Sequence, residues 1–541
     1  MPLIYFILIP VVMGVIIYLT NSKTIAKLMA LVTQIALFGA SIQMFAQAKA
    51  LSDYSDKGHF LGMSGLIYSI GNYQEGMGIV LVADTLSALF VMLTAFFFLI
   101  AVCFSYKQED SGVFWLLTFL WQSTLMGVFL SSDLFNIFAM IEVGIIIVTI
   151  LIMFNAKKRS MYDGLVYLMI NAVIAQFYLL GVAYLYRQTG RLNMYLVSDI
   201  LRDVDPATLV VPYALIMTFT VLKCAVMPLF SWLPKAHGTP GSPGVVSALL
   251  SGLHIKSSIY LFLRFQYLFE PIAIHDFFMI LGIITAIFGF TMALGQKDLK
   301  LILAYHTISQ VGLIFTGLTL GGPYSYIGGL YHMVNHAVFK SVLFMATHVI
   351  YTHYGTRNVY KVRGVFKEMP MVGVATLLAI FGIMGTPIFN GSISKYFIAS
   401  GTYGTLNYVL IFMSLGTIIS FIKFSTILFG TPATTVELSP AYRWQSIPLL
   451  GLGVLCFLGG LMGSAFIQYL FGVSLTVNPA GYLEKSMIFF ASLAGGYILF
   501  RFYVTKSKLL KKLGAFELSF REMALSIGVF FAILIVRVGF F

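Results

Sequence analysis

Residues 134–151 read LFNIFAMIEVGIIIVTIL, eighteen positions of which Glu142 alone carries a charge. A run of this length and composition meets the roughly 20-residue requirement for a helix crossing the hydrocarbon core of a bilayer. Apart from Glu142 it is apolar on every face, which excludes a soluble helix with one wet stripe. Similar runs recur along the whole chain. Apolar residues make up 59% of the 541 positions and charged residues 10%, with a mean hydropathy of +0.93. A soluble domain carries roughly 25% charged residues, so this chain lacks the polar material to cover a water-facing globule. A lipid-facing barrel needs alternating segments near ten residues, and these do not dominate. The composition implies an all-α polytopic membrane protein.

A span-length window predicts about sixteen helices. They lie at 2–20, 26–46, 78–104, 113–130, 134–154, 162–186, 209–230, 243–266, 272–294, 299–320, 325–350, 371–399, 405–430, 446–470, 485–504 and 522–540. The run 3–19 has no early positive charge and reads as the first span, not as a cleaved leader. Loops after odd-numbered spans hold most of the cations, among them Lys157, Lys158, Arg159, Lys297, Arg357, Lys361, Arg363 and Lys367. Loops after even-numbered spans hold fewer, offset by Asp53, Asp56, Glu75, Asp203 and Asp205. By the positive-inside rule the odd loops are cytoplasmic and both termini lie outside. The net charge of +13 is therefore an orientation signal and not a nucleic-acid footprint. Residues 506–523, KSKLLKKLGAFELSFREM, alternate basic and apolar positions and predict an amphipathic interfacial helix over 506–521 that anchors the chain or docks a partner.

Charged groups at mid-bilayer cost about 2.5–3.5 kcal/mol each on insertion scales, so those that persist call for a mechanism. Glu142 lies in the fifth span, and Lys223 in the seventh, shortly before Pro228. Lys256 follows His254 by two residues in the eighth. His306 and Gln310 stand one turn apart in the tenth, and His332, His336 and Lys340 recur every four residues in the eleventh, forming one polar stripe. Lys395 lies near the end of the Gly/Pro-broken segment 382–397, GIMGTPIFNGSISKYF. Burial favours the neutral form of a lysine and a nearby carboxylate restores the charged form, while histidine titrates near neutrality unaided. Groups poised in this way can hand protons along intervening water. Other intramembrane groups have plainer readings. Lys300 and Arg264 read as snorkelling side chains, and Lys423 reads equally as snorkelling or as an accessory group. His348 and His353 read as interhelical hydrogen-bond partners, and His254 stays open between packing and relay. A structural Glu142–Lys223 ion pair is the alternative to a switching pair.

Cys103, Cys224 and Cys456 lie far apart, with neither CxxC nor metal spacing, so no metal, haem or iron–sulfur centre is implied. There is no GxSxG, no HExxH and no nucleotide loop, so redox or hydrolytic chemistry is not expected of this chain, and no cofactor is implied. Helix breakers recur at matching places, Pro228 with 232–244 (WLPKAHGTPGSPG) in the seventh span and Gly385, Pro387 and Gly391 in the twelfth. Broken helices in corresponding positions point to inverted repeats and a transport site. A five-span offset predicts spans four to eight (111–270) repeating onto spans nine to thirteen (271–430), flanked by 1–110 and 431–541.

Three segments carry a resemblance to a known family: 230–264 (FSWLPKAHGTPGSPGVVSALLSGLHIKSSIYLFLR), 296–312 (QKDLKLILAYHTISQVG) and 331–364 (YHMVNHAVFKSVLFMATHVIYTHYGTRNVYKVRG). They resemble the antiporter-like, proton-translocating subunits of complex I relatives, a group that includes Mrp cation/proton antiporters, membrane-bound hydrogenases and NADH:quinone oxidoreductases. The resemblance covers roughly 80–430 and implies a fourteen-helix core with two inverted five-helix repeats and discontinuous seventh and twelfth helices. It also implies that Glu142 and Lys223 form the switching pair, that Lys256, His332, His336 and Lys340 form the central relay, and that Lys395 is its far terminus. At His306 many relatives carry serine, and His254 is less usual. The implied partners are other membrane subunits and protons, with Na⁺ as a second candidate ion. The alternatives are a self-sufficient Na⁺/H⁺ antiporter and a structural subunit without transport. WLPKAH is similar to the hydrogenase-linked branch, and Mrp-type subunits are the other branch the resemblance implies.

Overall fold

The computed structural model describes residues 2–51, 65–73, 78–109, 111–400, 402, 404–432, 438 and 441–539. Asp53, Asp56 and Glu75, which belong to the expected loop charges, lie outside the described residues. Fourteen of the described helices are long and apolar enough to cross a membrane, and Tyr5–Leu19 and Pro370–Met384 are shorter apolar helices. Each of the sixteen expected spans has a helix at its place.

Short polar side chains start many of these helices. Asp84, Ser111, Asp133, Asp205, Asp298 and Asn478 each accept a hydrogen bond from a backbone N–H of the first turn, satisfying donors that have no partner inside the helix. The third span consequently starts at Thr85 and not at residue 78 as expected. Its expected first turn is instead a strand, β2 (Val80–Ala83), antiparallel to β1 (Leu66–Ser69), where β-branched Val80 and Val82 suit a pleated surface.

Contacts divide the chain into two compact units. The first comprises Met1–Cys224, Leu253–Ile274 and Ser519–Phe541, and the second Ala225–Gly252 and His275–Leu518. Within the first, the last span, Phe520–Gly539, packs on the sixth and seventh spans, Lys158–Thr189 and Pro206–Lys223. Asp84 and Arg264 also meet here, at 2.5 Å and both nearly fully buried, with the guanidinium 4.8 Å from the Tyr260 ring centroid. The snorkelling reading of Arg264 is therefore corrected, because a carboxylate inside the fold holds the guanidinium.

Within the second unit, Lys300 is likewise no snorkelling group: it is 3% exposed and its Nζ donates to Ser242 O at 3.2 Å. Burial raises the carboxyl of the neighbouring Asp298 above the ordinary range, and Arg357, 2.9 Å away, pulls it back. The ninth and tenth spans, His275–Gly295 and Leu299–Thr319, approach to backbone contact: a Cβ on Gly312 would lie 2.5 Å from Gly282 O. Small residues permit such approach where no hydrophobic effect drives helices together. The amphipathic segment forms a helix of its own over Lys508–Leu513, and Phe520 and Arg521 already belong to the last span. The short helix ends where Gly514 meets Gly295, a contact so close that a Cβ on Gly514 would clash with Gly295 O.

Both discontinuous spans break where the backbone leaves helical geometry. The seventh stops at Lys223 and turns through Ala225 at φ 54°, resuming as Trp232–Gly238. The twelfth stops at Met384, turns through Gly385 (φ 81°) and Ile388 (φ 76°), and resumes as Asn390–Ser400. A local pattern also recurs. Asp133 bridges Asn193 in the first unit, and Asp298 bridges Asn358 in the second. The sixth and eleventh spans, Lys158–Thr189 and Pro323–Tyr354, are each 32 residues long and end on a left-handed glycine, Gly190 and Gly355.

Breaking the buried ion pair with Asp84→Asn is expected to destabilise the solubilised protein by about 3–5 kcal/mol. Glu270→Gln, at the exposed 3.6 Å pair with Arg202, should leave it within about 0.5 kcal/mol. Gly312→Ala is expected to cost about 1–3 kcal/mol through overpacking, whereas Gly451→Ala, which meets nothing within 4 Å, should be silent. Denaturant unfolding of the four variants in one detergent checks both pairs.

Candidate functional site

The first unit holds Glu142, Lys223, His254 and Lys256. Glu142 is half-buried in the fifth span, Leu134–Ile152, bordering an exposed stripe that includes Phe135, Val143, Ile146 and Ile150. Its Oε1 is buried and accepts no hydrogen bond from the described residues. Lys223, the last residue before the break, is 3% exposed. Its charge acts on Glu142, yet among the described residues the two form no direct ion pair. The ammonium donates instead to Asn171 Oδ1 at 3.0 Å, and Asn171 Nδ2 in turn donates to Tyr167 O at 2.8 Å. The alternative of a structural Glu142–Lys223 salt bridge is thus not what holds this lysine.

His254 has Trp121 Nε1 at 3.4 Å from Nδ1 and Tyr167 OH at 3.4 Å from Nε2. It shares with Lys223, Thr124, Ser257 and Ser258 a cavity of about 20 Å³, room for about one water. Lys256 is 1% exposed and follows a single π turn, Leu250–His254, a widened geometry frequent at functional positions.

The second unit gathers the remaining expected residues. Lys340 Nζ donates to Leu303 O at 2.6 Å, a carbonyl that also accepts from Thr307 Oγ1 at 3.1 Å. Thr307 Oγ1 lies 2.8 Å from Ser251 Oγ, which lengthens the polar line. His306 is fully buried with its ring centroid 4.7 Å from that of Phe421, and neither ring nitrogen has a hydrogen-bond partner among the described residues. The fields of Lys340, Lys395 and Lys423 all reach it. His332 is held at both ends: Nε2 donates to Gln310 Oε1 at 3.0 Å and Nδ1 accepts from Ser394 Oγ at 2.8 Å in the neutral ring. His336 is fully buried, edge-on to Phe339.

Lys395 Nζ donates to Ile383 O and Met384 O, both at 3.0 Å. These are carbonyls freed where the twelfth span breaks. The group borders a cavity of about 100 Å³ whose lining includes Ser392, Tyr396, Tyr482 and a second ammonium, Lys485, and no carboxylate among the described residues. Lys423 does not snorkel. It donates to the carbonyls of Leu294 (2.8 Å) and Gln296 at the end of the ninth span, where a cation suits the helix dipole.

Sequence reasoning missed Asn171, Ser394 and Lys485. A register comparison finds Asn171, because it stands thirteen residues after the first residue of its 32-residue helix, as His336 does in the eleventh span. Tyr167 and His332 correspond in the same way. Ser394 and Lys485 carry no such signal, since only the packing brings them to His332 and Lys395.

A family model described as NADH:quinone oxidoreductase/Mrp antiporter, TM, matches residues 131–420. A Na⁺/H⁺ antiporter subunit of Alkalihalophilus pseudofirmus, of the D type, is 28% identical over 434 residues, 77% of this chain and 88% of that protein. An NADH-quinone oxidoreductase subunit of Desulforudis audaxviator, of the N type, is 33% identical over 346 residues, 62% of this chain and 68% of that protein. Among solved structures, a chain of the Mrp complex from a Dietzia species superposes with a TM-score of 0.78 at 22% identity, covering 91% of this chain and 99% of that one. A chain of an archaeal membrane-bound sulfane sulfur reductase does so with the same score and coverage at 21% identity.

Lys423→Met removes the donor from the carbonyls of Ala293, Leu294 and Gln296 and is expected to cost about 1–3 kcal/mol of stability. Thermal unfolding of the solubilised variant against the parent chain checks it.

Proposed function

The chain belongs to the NADH:quinone oxidoreductase/Mrp antiporter transmembrane family, and from that premise we propose that it is a proton-translocating, antiporter-like subunit of a multisubunit complex in the cell membrane. The single observation that supports this most is the line of buried groups in the second unit, where His306 lies within the fields of Lys340, Lys395 and Lys423 and lacks a protein partner at either ring nitrogen among the described residues. Lysine and histidine take up and release protons, and a buried group with spare hydrogen-bonding capacity is suited to pass one on. His332, His336 and Gln310 supply a second polar stretch beside this line. In the first unit, Glu142, Lys223, His254 and Lys256 act as its counterpart, with Glu142 able to approach or leave an ammonium that Asn171 otherwise holds.

Protons suit this pathway better than Na⁺ at the Lys395 end. A cavity presenting two ammonium groups and, among the described residues, no carboxylate disfavours a metal cation. The recurring bridges at Asp133–Asn193 and Asp298–Asn358, with the matched 32-residue spans, support two repeated five-helix segments, 111–270 and 271–430. The partners are other membrane subunits, as in the complexes to which the relatives belong.

The test uses the intact complex in proteoliposomes, with proton movement followed by a pH-sensitive dye. Lys340→Ala and Lys223→Ala should each slow translocation by about 10²-fold or more, the scale of removing a positioned proton-transfer group, while the complex still assembles. Wild-type rates in both variants would leave a structural subunit as the better description. Rapid Na⁺-driven proton exchange by the purified chain alone would favour a self-sufficient antiporter.

A further inference from the structure

The second half of the broken seventh span, Trp232–Gly238, carries a histidine that none of the roles above uses. His237 is fully buried, and neither Nδ1 nor Nε2 has a hydrogen-bond partner among the described residues. Its ring lies flat on Phe344, with centroids 4.5 Å apart and planes 16° from parallel. The Lys340 ammonium stands 5.7 Å from the centroid of that same Phe344 ring. Lys300 and Lys340 are the charged groups whose fields reach His237.

Buried polar side chains are ordinarily bonded. A fully buried imidazole with both nitrogens unpartnered is therefore costly, and a packing role would be filled better by phenylalanine or leucine. The surroundings are polar as well. On the elements packed around it, Thr239 Oγ1 and Ser247 Oγ are also buried without a partner among the described residues. The charged and histidine groups on those elements are Lys235, paired with Glu517 at 3.4 Å, Lys300 and His306 on the tenth span, and His332, His336, Lys340, His348 and His353 on the eleventh; of these, Lys300 and Lys340 are the ones whose fields reach His237. The half-helix is fixed in position: Arg357, which pairs with Asp298, donates from Nη2 to Gly238 O at 3.0 Å. Gly238 packs against Leu301 so closely that a Cβ would lie 2.6 Å from it.

We propose that His237 is a further relay residue, carrying protons between Lys300, near the Asp298–Arg357 end of the unit, and Lys340 at its centre. Resting on the proton-translocating reading, this extends the line to Lys300, His237, Lys340, His306 and Lys395, in which lysines alternate with histidines that have no fixed partner among the described residues. One ring nitrogen accepts a proton while the other releases one, so no net charge stays on the imidazole. The flat contact with Phe344 keeps the ring edge, where both nitrogens lie, clear of the aromatic surface.

The experiment compares the intact complex in proteoliposomes with His237→Gln, His237→Phe and His237→Lys, with Lys340→Ala run alongside. His237→Phe preserves the stacked ring, so the test survives a failure of the Gln variant to fold. Expected are assembly at parental levels, translocation slowed by about tenfold or more in the Phe and Gln variants, a larger solvent deuterium isotope effect in both, and partial recovery in His237→Lys. Parental rates and isotope effects in the Phe and Gln variants, with Lys340→Ala slowed, would overturn the inference and leave His237 as packing. Parental rates in Lys340→Ala as well would overturn the parent reading, a distinguishable result.

Discussion

The ammonium of Lys395 donating to the carbonyls of Ile383 and Met384 illustrates the constraint on which the rest of the structure depends. Inside an apolar layer every freed backbone group needs a partner within the protein. A helix that stops there exposes carbonyls carrying partial negative charge, and a lysine answers both the hydrogen-bonding need and the charge. Lys423 does the same at the end of the ninth span. Chain breaks and buried cations are therefore one arrangement. The breaks give the lysines a place to be buried, and the lysines make the breaks tolerable.

The seventh span meets the same constraint differently. Lys223 is itself the last helical residue, and its ammonium turns to the side chain of Asn171. A neutral amide holds the lysine without cancelling its charge, so Glu142 remains available to act on it from a distance. In the second unit the register of Asn171 is taken by His336, and that of Tyr167 by His332. The same helical frame thus places fixed polar groups in one unit and titratable ones in the other. It follows that the lysine–histidine series is denser in the second unit.

The physical basis of the expected span series is simple, since apolar length is set by bilayer thickness and needs no knowledge of neighbours. The breaks at Pro228 and Gly385 were legible because proline and glycine alter the backbone locally. What failed depended on distant partners. Arg264 and Lys300 look like snorkelling groups when only the hydropathy around them is considered. Asp84, 180 residues away in sequence, makes the first a buried ion pair, and Ser242 O makes the second a buried donor. The third span began late because Asp84 caps it and the preceding valines form a strand.

The sequence by itself determined the membrane bundle, the positions of its breaks and which titratable groups lie in its core, because these follow from composition and local backbone chemistry. Only the tertiary structure decided what each of those groups touches. Lys223 turns to Asn171, His332 is clamped by Gln310 and Ser394, and His306 and His237 are buried with no partner among the described residues. The physical reason is that partnership in a dry interior is set by which helices pack together. Periodicity along one helix shows the face on which a side chain lies, and the neighbour across that face determines its chemistry.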